Sequence, residues 1–302
     1  MDKAKLMNGV KKYTMIIVLV LVTLFFTWQT GGKILLPQNV SNLISQNAYV
    51  FVLATGMLLC ILTGGNIDLS VGSVVCFAGA VGATLMESKG MNPWAASIMM
   101  LLIGLLIGAW QAFWIAYVHV PPFITTLSGM LVFRGLSNVV LNGLTVSLTN
   151  AGFVKVFGGG AECYIPDFLG GNGFNITCML VGVIACVIYV LVQIKNRMNR
   201  AKKGYEMEAL SAMVIRTVII CAVILVFMFR LAQYKGIPTA LVWVALVVLI
   251  YGYITSKTTT GRYFYAVGGN EKATKLSGID TNKVYFLAYL NMGLLAVSYT
   301  HL

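Results

Sequence analysis

Nine apolar runs, most of them near the ~20 residues an α-helix needs to cross a hydrocarbon layer, decide what this chain can become. They fall at roughly 13–29, 47–63, 69–86, 94–118, 121–141, 174–194, 217–233, 238–255 and 284–299. A water-soluble fold would have to bury all of them. With 59% hydrophobic and only 10% charged residues among 302, the chain has little polar surface with which to do so. In lipid, backbone polar groups must be bonded within their own segment, which favours helices. The expected fold is all-α: one polytopic transmembrane helical bundle covering 1–302, with about nine spans.

The charges give the orientation. Lys3, Lys5, Lys11 and Lys12 precede the first run. Lys195, Arg197, Arg200, Lys202, Lys203 and Arg216 lie between the sixth and seventh, and Lys257, Arg262, Lys272, Lys275 and Lys283 between the eighth and ninth. With the N-terminus cytoplasmic, these 15 of the 21 basic residues face inward, as the positive-inside rule requires. The net charge of +12 is thereby directed at the anionic inner leaflet and at cytosolic partners, not at nucleic acid. The first run resembles a signal peptide, but no small-x-small cleavage site follows it, so it reads as an uncleaved span. Five of the six cysteines sit in apolar runs and none forms a CxxC pair, so they read as small hydrophobes. His119 and His301 are the only histidines. No metal site, catalytic residue or cofactor is expected.

Polar breaks in such a chain carry the information. The turn Gly64-Gly65-Asn66-Ile67-Asp68-Leu69-Ser70 lies between the second and third runs. The glycines can end one helix, and Asp68 or Ser70 can cap the next, where the dipole favours a negative charge. Capping is the preferred role for Asp68. Direct contact with substrate or a proton is the alternative, since ionisable groups at membrane depth are costly. The fifth run opens with Pro121-Pro122 and carries Thr125, Thr126, Arg134 and Asn138. Arg134, Asn138 and Asn142 share a helix face, which can wall a hydrated path or let Arg134 reach neighbouring helix ends. Gly65, Asn66, Asp68, Ser70, Thr125, Thr126, Arg134 and Asn138 are thus the candidates for a translocation path or its supporting turn. Gly104, Gly108, Ala112 and Ala116 form a stripe of small residues on the fourth run. Gly72, Gly79, Ala80, Gly82 and Ala83 form a similar surface on the third. Both predict close helix packing within the chain, with a dimer interface as the sharper alternative.

Two inward segments remain. The stretch 195–216 predicts an amphipathic helix at the membrane surface, using Met207, Leu210, Met213 and Val214 as its apolar side. In 256–283, Asn270 is a suitable N-cap and Gly278 a suitable stop, with about two turns of helix between them. Glu271 and Lys275 can pair at i,i+4, and Leu276 and Ile279 offer apolar contacts. A short capped helix of this kind suits docking in a groove of a soluble partner. Its candidate contact residues are Gly268, Gly269, Asn270, Glu271, Lys272, Ala273, Lys275, Leu276 and Gly278.

These residues resemble a known family. GGNIDLSVG (Gly64–Gly72), PPFITTLSGMLVFRGL (Pro121–Leu136), GIPTALVW (Gly236–Trp243) and GRYFYAVGGNEKATKLSGI (Gly261–Ile279) together look like the permease subunits of ABC importers for ribose, xylose and galactose. KKGYEMEALSAM (Lys202–Met213) is similar to the xylose and multiple-monosaccharide branch. The resemblance implies a bacterial inner-membrane location, a second permease subunit (as a homodimer), a cytosolic ATPase docking around Gly268–Gly278 and a periplasmic or lipid-anchored sugar-binding protein. No GxxxxGK[ST] phosphate loop occurs in the chain, so ATP hydrolysis is expected of the partner. The ending Val297–Leu302 departs from the family, whose members continue through a further span, and predicts a truncated C-terminus. A self-sufficient ion-coupled carrier is the competing function. The rarity of carboxylates within the runs argues against it, and the lack of a His/Cys/carboxylate cluster argues against a membrane enzyme.

Overall fold

The structure is a computed structural model that describes residues 3–149, 163–171, 173–204 and 209–298. The described residues are almost wholly helical, with eleven α-helices among them. In chain order they are α1 (Lys3–Gln29), α2 (Pro37–Leu62), α3 (Val71–Ala83), α4 (Pro93–Ala116), α5 (Pro122–Leu141), α6 (Ile176–Lys202), α7 (Leu210–Ala232), α8 (Thr239–Lys257), α9 (Thr259–Gly269), α10 (Glu271–Leu276) and α11 (Thr281–Ser298). A π-helical turn, Thr84–Ser88, prolongs α3. The chain is a helical polytopic membrane protein.

Several starts are written in the sequence. Asn92 Oδ1 accepts the Trp94 N–H at 2.9 Å with Pro93 in the first turn of α4. Asn175 Oδ1 accepts the Cys178 N–H at 2.8 Å to open α6. Both use the short side chain to satisfy donors that the first turn leaves free.

Among the described residues, seven helices are long and apolar enough to cross a membrane, α2 through α8 with α3 counted to Ser88, where the sequence suggests nine. Of the two runs outside the seven, the side chains of α1 are described only over Thr14–Gln29, an apolar helix shorter than a full span, and α11 is less apolar than the rest. The second case has a packing reason. Thr281, Asn282, Lys283 and Asn291 dilute the apolarity of α11, yet Ala288, Tyr289, Met292 and Val297 are fully buried against protein.

Two further expectations change. The surface helix drawn across 195–216 is not a separate element. α6 runs on through Lys195, Arg197 and Arg200 to Lys202, and α7 already begins at Leu210, so Leu210, Met213 and Val214 belong to its first turns. Met207 lies outside the described residues. The stretch 256–283 is more helical than a loop. Thr258 Oγ1 caps α9 by accepting the Gly261 N–H at 3.1 Å, and Gly261, Phe264 and Val267 form its buried side. The glycine-rich stretch 158–160 and the ending 299–302 also lie outside the described residues.

The chain divides into two compact units. The first holds residues up to Ile44 and from Ile165 to Ile237. In it α6 packs along α7, with Gly182 beneath Met228 and Cys186 Sγ facing the Cys221 carbonyl. The approach to α6 is organised by Asp167, whose carboxylate collects the Thr177 hydroxyl at 2.6 Å and the N–H groups of Gly171, Leu169, Thr177 and Ile176. These bonds, the Thr177 hydroxyl foremost, hold it well below the usual carboxylate range.

The second unit, Ser45–Tyr164 with Pro238–Leu302, contains the main core. α4 and α11 form its most intimate pair. A Cβ added at Gly108 would stand 3.0 Å from the carbonyls of Leu290 and Tyr289, and one at Gly293 2.5 Å from the Gly104 carbonyl. The stripe on α4 is therefore used for internal packing, backbone against backbone. Around this seam gather Leu59 and Cys60 of α2, Val74 and Ala78 of α3, Phe133 of α5 and Phe264 and Val267 of α9.

Candidate functional site

The polar turn after α2 is closed by its own residues. Thr63 Oγ1 donates to the Cys60 carbonyl at 2.8 Å, and the Gly65 N–H to Ile61 at 2.7 Å. Gly64 and Gly65 take φ of 118° and 76°, conformations that side-chain-bearing residues avoid. The chain then turns inward. Asp68 is 5% exposed and Ser70 fully buried. Asp68 Oδ1 accepts both the Ser70 N–H at 2.8 Å and the Ser70 hydroxyl at 2.6 Å.

Asp68 thus stabilises the entry to α3 from two positions before the N-cap residue. Ser70 is the N-cap residue but places no side-chain bond on the helix. Burial pushes the Asp68 carboxyl up, opposed by the two bonds from Ser70.

Gln111, which sequence reasoning passed over, completes this cluster from α4. It is 2% exposed and its amide lies 3.0 Å from Ser70 Oγ. Gln111 Oε1 is the atom that faces Ser70, so the single Ser70 proton lies between two acceptors, Asp68 Oδ1 at the shorter distance and Gln111 Oε1, while the buried Gln111 Nε2 has no hydrogen-bond partner. Gly129 of α5 lies against the same amide, so three helices meet at this point. The signal for Gln111 was available: it is a lone amide in the apolar run of α4. Nearby, the buried hydroxyl of Tyr289 has no hydrogen-bond partner.

The second polar segment forms as its caps predict. Asn270 Oδ1 accepts the Ala273 N–H at 3.0 Å, and Gly278, at φ 82°, ends α10 by donating to the Lys275 carbonyl at 3.1 Å. Lys272, Ala273, Lys275 and Leu276 are exposed, Leu276 to 90%. The expected Glu271–Lys275 pair gives way to another contact. Glu271 Oε2 accepts the hydroxyl of Tyr285, on α11, at 3.1 Å.

The two polar segments, read separately in the sequence, are neighbours in the structure. Gly268 lies directly on the Leu62 carbonyl at the end of α2. The Tyr285 hydroxyl stands 3.3 Å from where a Gly64 Cβ would be. A cavity of about 210 Å³ lies between them, lined by Asn66, His119, Pro121, Glu271, Asn282 and Tyr285 among others.

The remaining candidates divide along α5. Thr125 and Thr126 are buried in its first two turns, their hydroxyls turned back to the Pro121 and Pro122 carbonyls. They continue through Gly129, Phe133 and Ser137 as the buried side of the helix. Arg134 and Asn138 lie on the exposed side. The structure therefore brings Asp68, Ser70 and Gln111 together, gathers Asn66 with Glu271, and leaves Arg134 and Asn138 outside that group.

Comparison with known proteins agrees with this anatomy. Residues 39–297 match the family described as "Branched-chain amino acid transport system / permease component". The chain is 36% identical over 283 residues to the xylose transport system permease protein XylH of Escherichia coli (strain K12), covering 94% of this chain and 69% of the relative. It is 34% identical over 295 residues to XylH of Haemophilus influenzae, covering 98% and 75%. To the ribose import permease protein RbsC of Escherichia coli (strain K12) it is 30% identical over 258 residues, covering 85% and 58%. No solved structure matches. The chain is a multi-pass protein of the cytoplasmic membrane, and it belongs to the family of permease subunits of ATP-binding-cassette sugar importers.

Proposed function

We propose that this subunit imports a monosaccharide, with xylose the first candidate, and takes its energy from a cytosolic ATPase docked on α10. Family membership implies the ATPase and a sugar-binding protein as partners; the second permease subunit, a copy of this chain, is part of the proposal. So are the absence of an ATP-hydrolysing site of its own and a path using Gly65, Asn66, Asp68, Ser70, Thr125, Thr126, Arg134 and Asn138.

The observation that carries the reading is α10 itself. It is six residues long, closed at both ends by its own cap and stop, and it presents an almost fully exposed leucine flanked by lysines. Such a projection has little to offer the chain's own core and much to offer a groove. The family's ATPase is the partner that suits it, and the basic residues around it favour the cytoplasmic side.

The test is transport in vesicles holding this chain with its ATPase and binding protein. ATP-dependent uptake of D-xylose, D-ribose or D-fructose is expected, strongest for one of them. Uptake of none would sink the reading. Docking is tested by Gly278→Pro. Proline fixes φ near −65° and lacks an N–H, whereas Gly278 uses φ 82° and donates to Lys275. ATPase co-purification should fall severalfold with little change in the subunit's own unfolding temperature. Equal co-purification would remove α10 as the docking element.

A further inference from the structure

We propose that Tyr285 is a positioning residue that links α10 to the Gly64–Ser70 turn, so that movement at the docking helix reaches the buried Asp68–Ser70–Gln111 cluster. The proposal rests on the importer reading and names a device inside it.

The contacts form a closed circuit within the second unit. The Tyr285 hydroxyl donates to Glu271, the first residue of α10, at 3.1 Å. The same oxygen sits over Gly64, the first residue of the turn, where even a methyl group would be held 3.3 Å away. From Tyr285, α11 runs into its seam with α4 at Gly293, Gly104 and Gly108. Gln111, one turn beyond Gly108 on α4, returns to Ser70 at 3.0 Å and so to Asp68 and the turn.

The docking end of this circuit is stiff. Thr274 Oγ1 of α10 lies 2.8 Å from both the Ala266 and the Asn270 carbonyls, fixing α10 to α9. Gly268 at the end of α9 lies on the Leu62 carbonyl. α10 therefore cannot shift without moving either the end of α2 or the Tyr285 contact. A dense interior transmits such displacements. The Tyr285 hydroxyl, bonded to the docking helix and lying beside Gly64 of the turn, is the narrowest point of the circuit. The ring of Tyr285 packs on the core independently of that hydroxyl, so the two roles are separable.

A chain of contacts alone does not demonstrate coupling; non-additive perturbation does. The first measurement is amide hydrogen exchange of the full chain in nanodiscs, read at Gly65 and Ser70. Tyr285→Phe and Glu271→Ala should each speed exchange there by about threefold to tenfold, as loss of one hydrogen bond of ordinary net strength allows. The double variant should be no faster than either single one, and Glu271→Gln, which retains an acceptor oxygen, should stay near the parent. Unchanged exchange in Tyr285→Phe, or additive effects in the double variant, would overturn the linkage. The second measurement uses proteoliposomes with the ATPase and binding protein and D-xylose as the probe. Tyr285→Phe should raise the ATP consumed per xylose moved by severalfold while ATPase co-purification stays level. An unchanged ratio would overturn the coupling role. A parent complex without ATP-driven uptake would instead count against the importer reading, with the exchange experiment still deciding the linkage.

Discussion

α3 and α4 carry the same sequence signal and use it differently. Both have small residues at helical spacing. On α4 the stripe is filled: Gly104 and Gly108 meet Val297, Gly293 and the carbonyls of Leu290 and Tyr289. On α3 only part is filled. Gly82 lies under Met100, while a Cβ at Gly72 or Gly79 would meet nothing within 4 Å. A small-residue stripe permits backbones to approach, but it does not choose the partner. α4 is matched because α11 offers its own glycine, Gly293, in register. α3 packs on α5 and α4 through Val74, Ala78 and Gly82 and is fastened in addition at its entry, where Ser70, bound to Asp68, reaches Gln111. α4 is fixed by backbone-to-backbone fit along its stripe, α3 by side-chain packing together with a polar clasp at one end.

The strongest way to break this contrast is Gly293→Ala. Its Cβ would fall 2.5 Å from the Gly104 carbonyl and 2.7 Å from the Gly108 Cα. Both are backbone atoms, so the helices themselves must separate. A loss at or above the top of the about 1–3 kcal/mol usual for overpacking is expected, seen as a lowered midpoint in detergent or denaturant unfolding. A variant as stable as the parent would mean that the seam is not closed.

The clasp should respond less, and more selectively. Asp68→Ala strips two acceptor contacts from Ser70 and leaves a buried N–H without a partner, a loss of about 1–3 kcal/mol. Asp68→Asn keeps an acceptor oxygen and removes the charge that burial disfavours, so it should unfold close to the parent. Equal damage from both would show that the negative charge, not the geometry of the turn, holds the entry to α3.

These two regions also mark how far the sequence was legible. Apolar run length gave the positions of α2 through α8 because lipid thickness sets a length scale that each run must meet alone. It is a weaker guide at α11, where polar residues interrupt a run packed against protein. Caps gave Asn270 and Gly278, since they act over three or four residues. α9 was missed because Gly261, Gly268 and Gly269 argue against a helix locally. Burial of Phe264 and Val267 and close approach at Gly268 reward it only in the folded chain. The Glu271 contact was misassigned for the same reason: Lys275 is its sequence neighbour and Tyr285 its spatial one. The convergence of Gly64, Glu271 and Tyr285 joins segments about 200 residues apart, a separation no local pattern encodes.

The smallest effect is expected at the open part of α3. Gly79→Leu adds a large side chain to a helix interior where nothing lies within 4 Å. It also replaces a poor helix former with a good one, worth up to about 1 kcal/mol in favour of the helix. Set against the loss of some mobility, the isolated chain should unfold within about 0.5 kcal/mol of the parent. That near-silence, beside the damage at Gly293, is what separates a stripe in use from one that is merely permitted. A fall of several kcal/mol at Gly79 would erase the distinction and place a tightly packed neighbour on this face. Unchanged unfolding with lost transport in the assembled importer would sharpen it, by showing that the face has work in the complex that it does not have in the single chain.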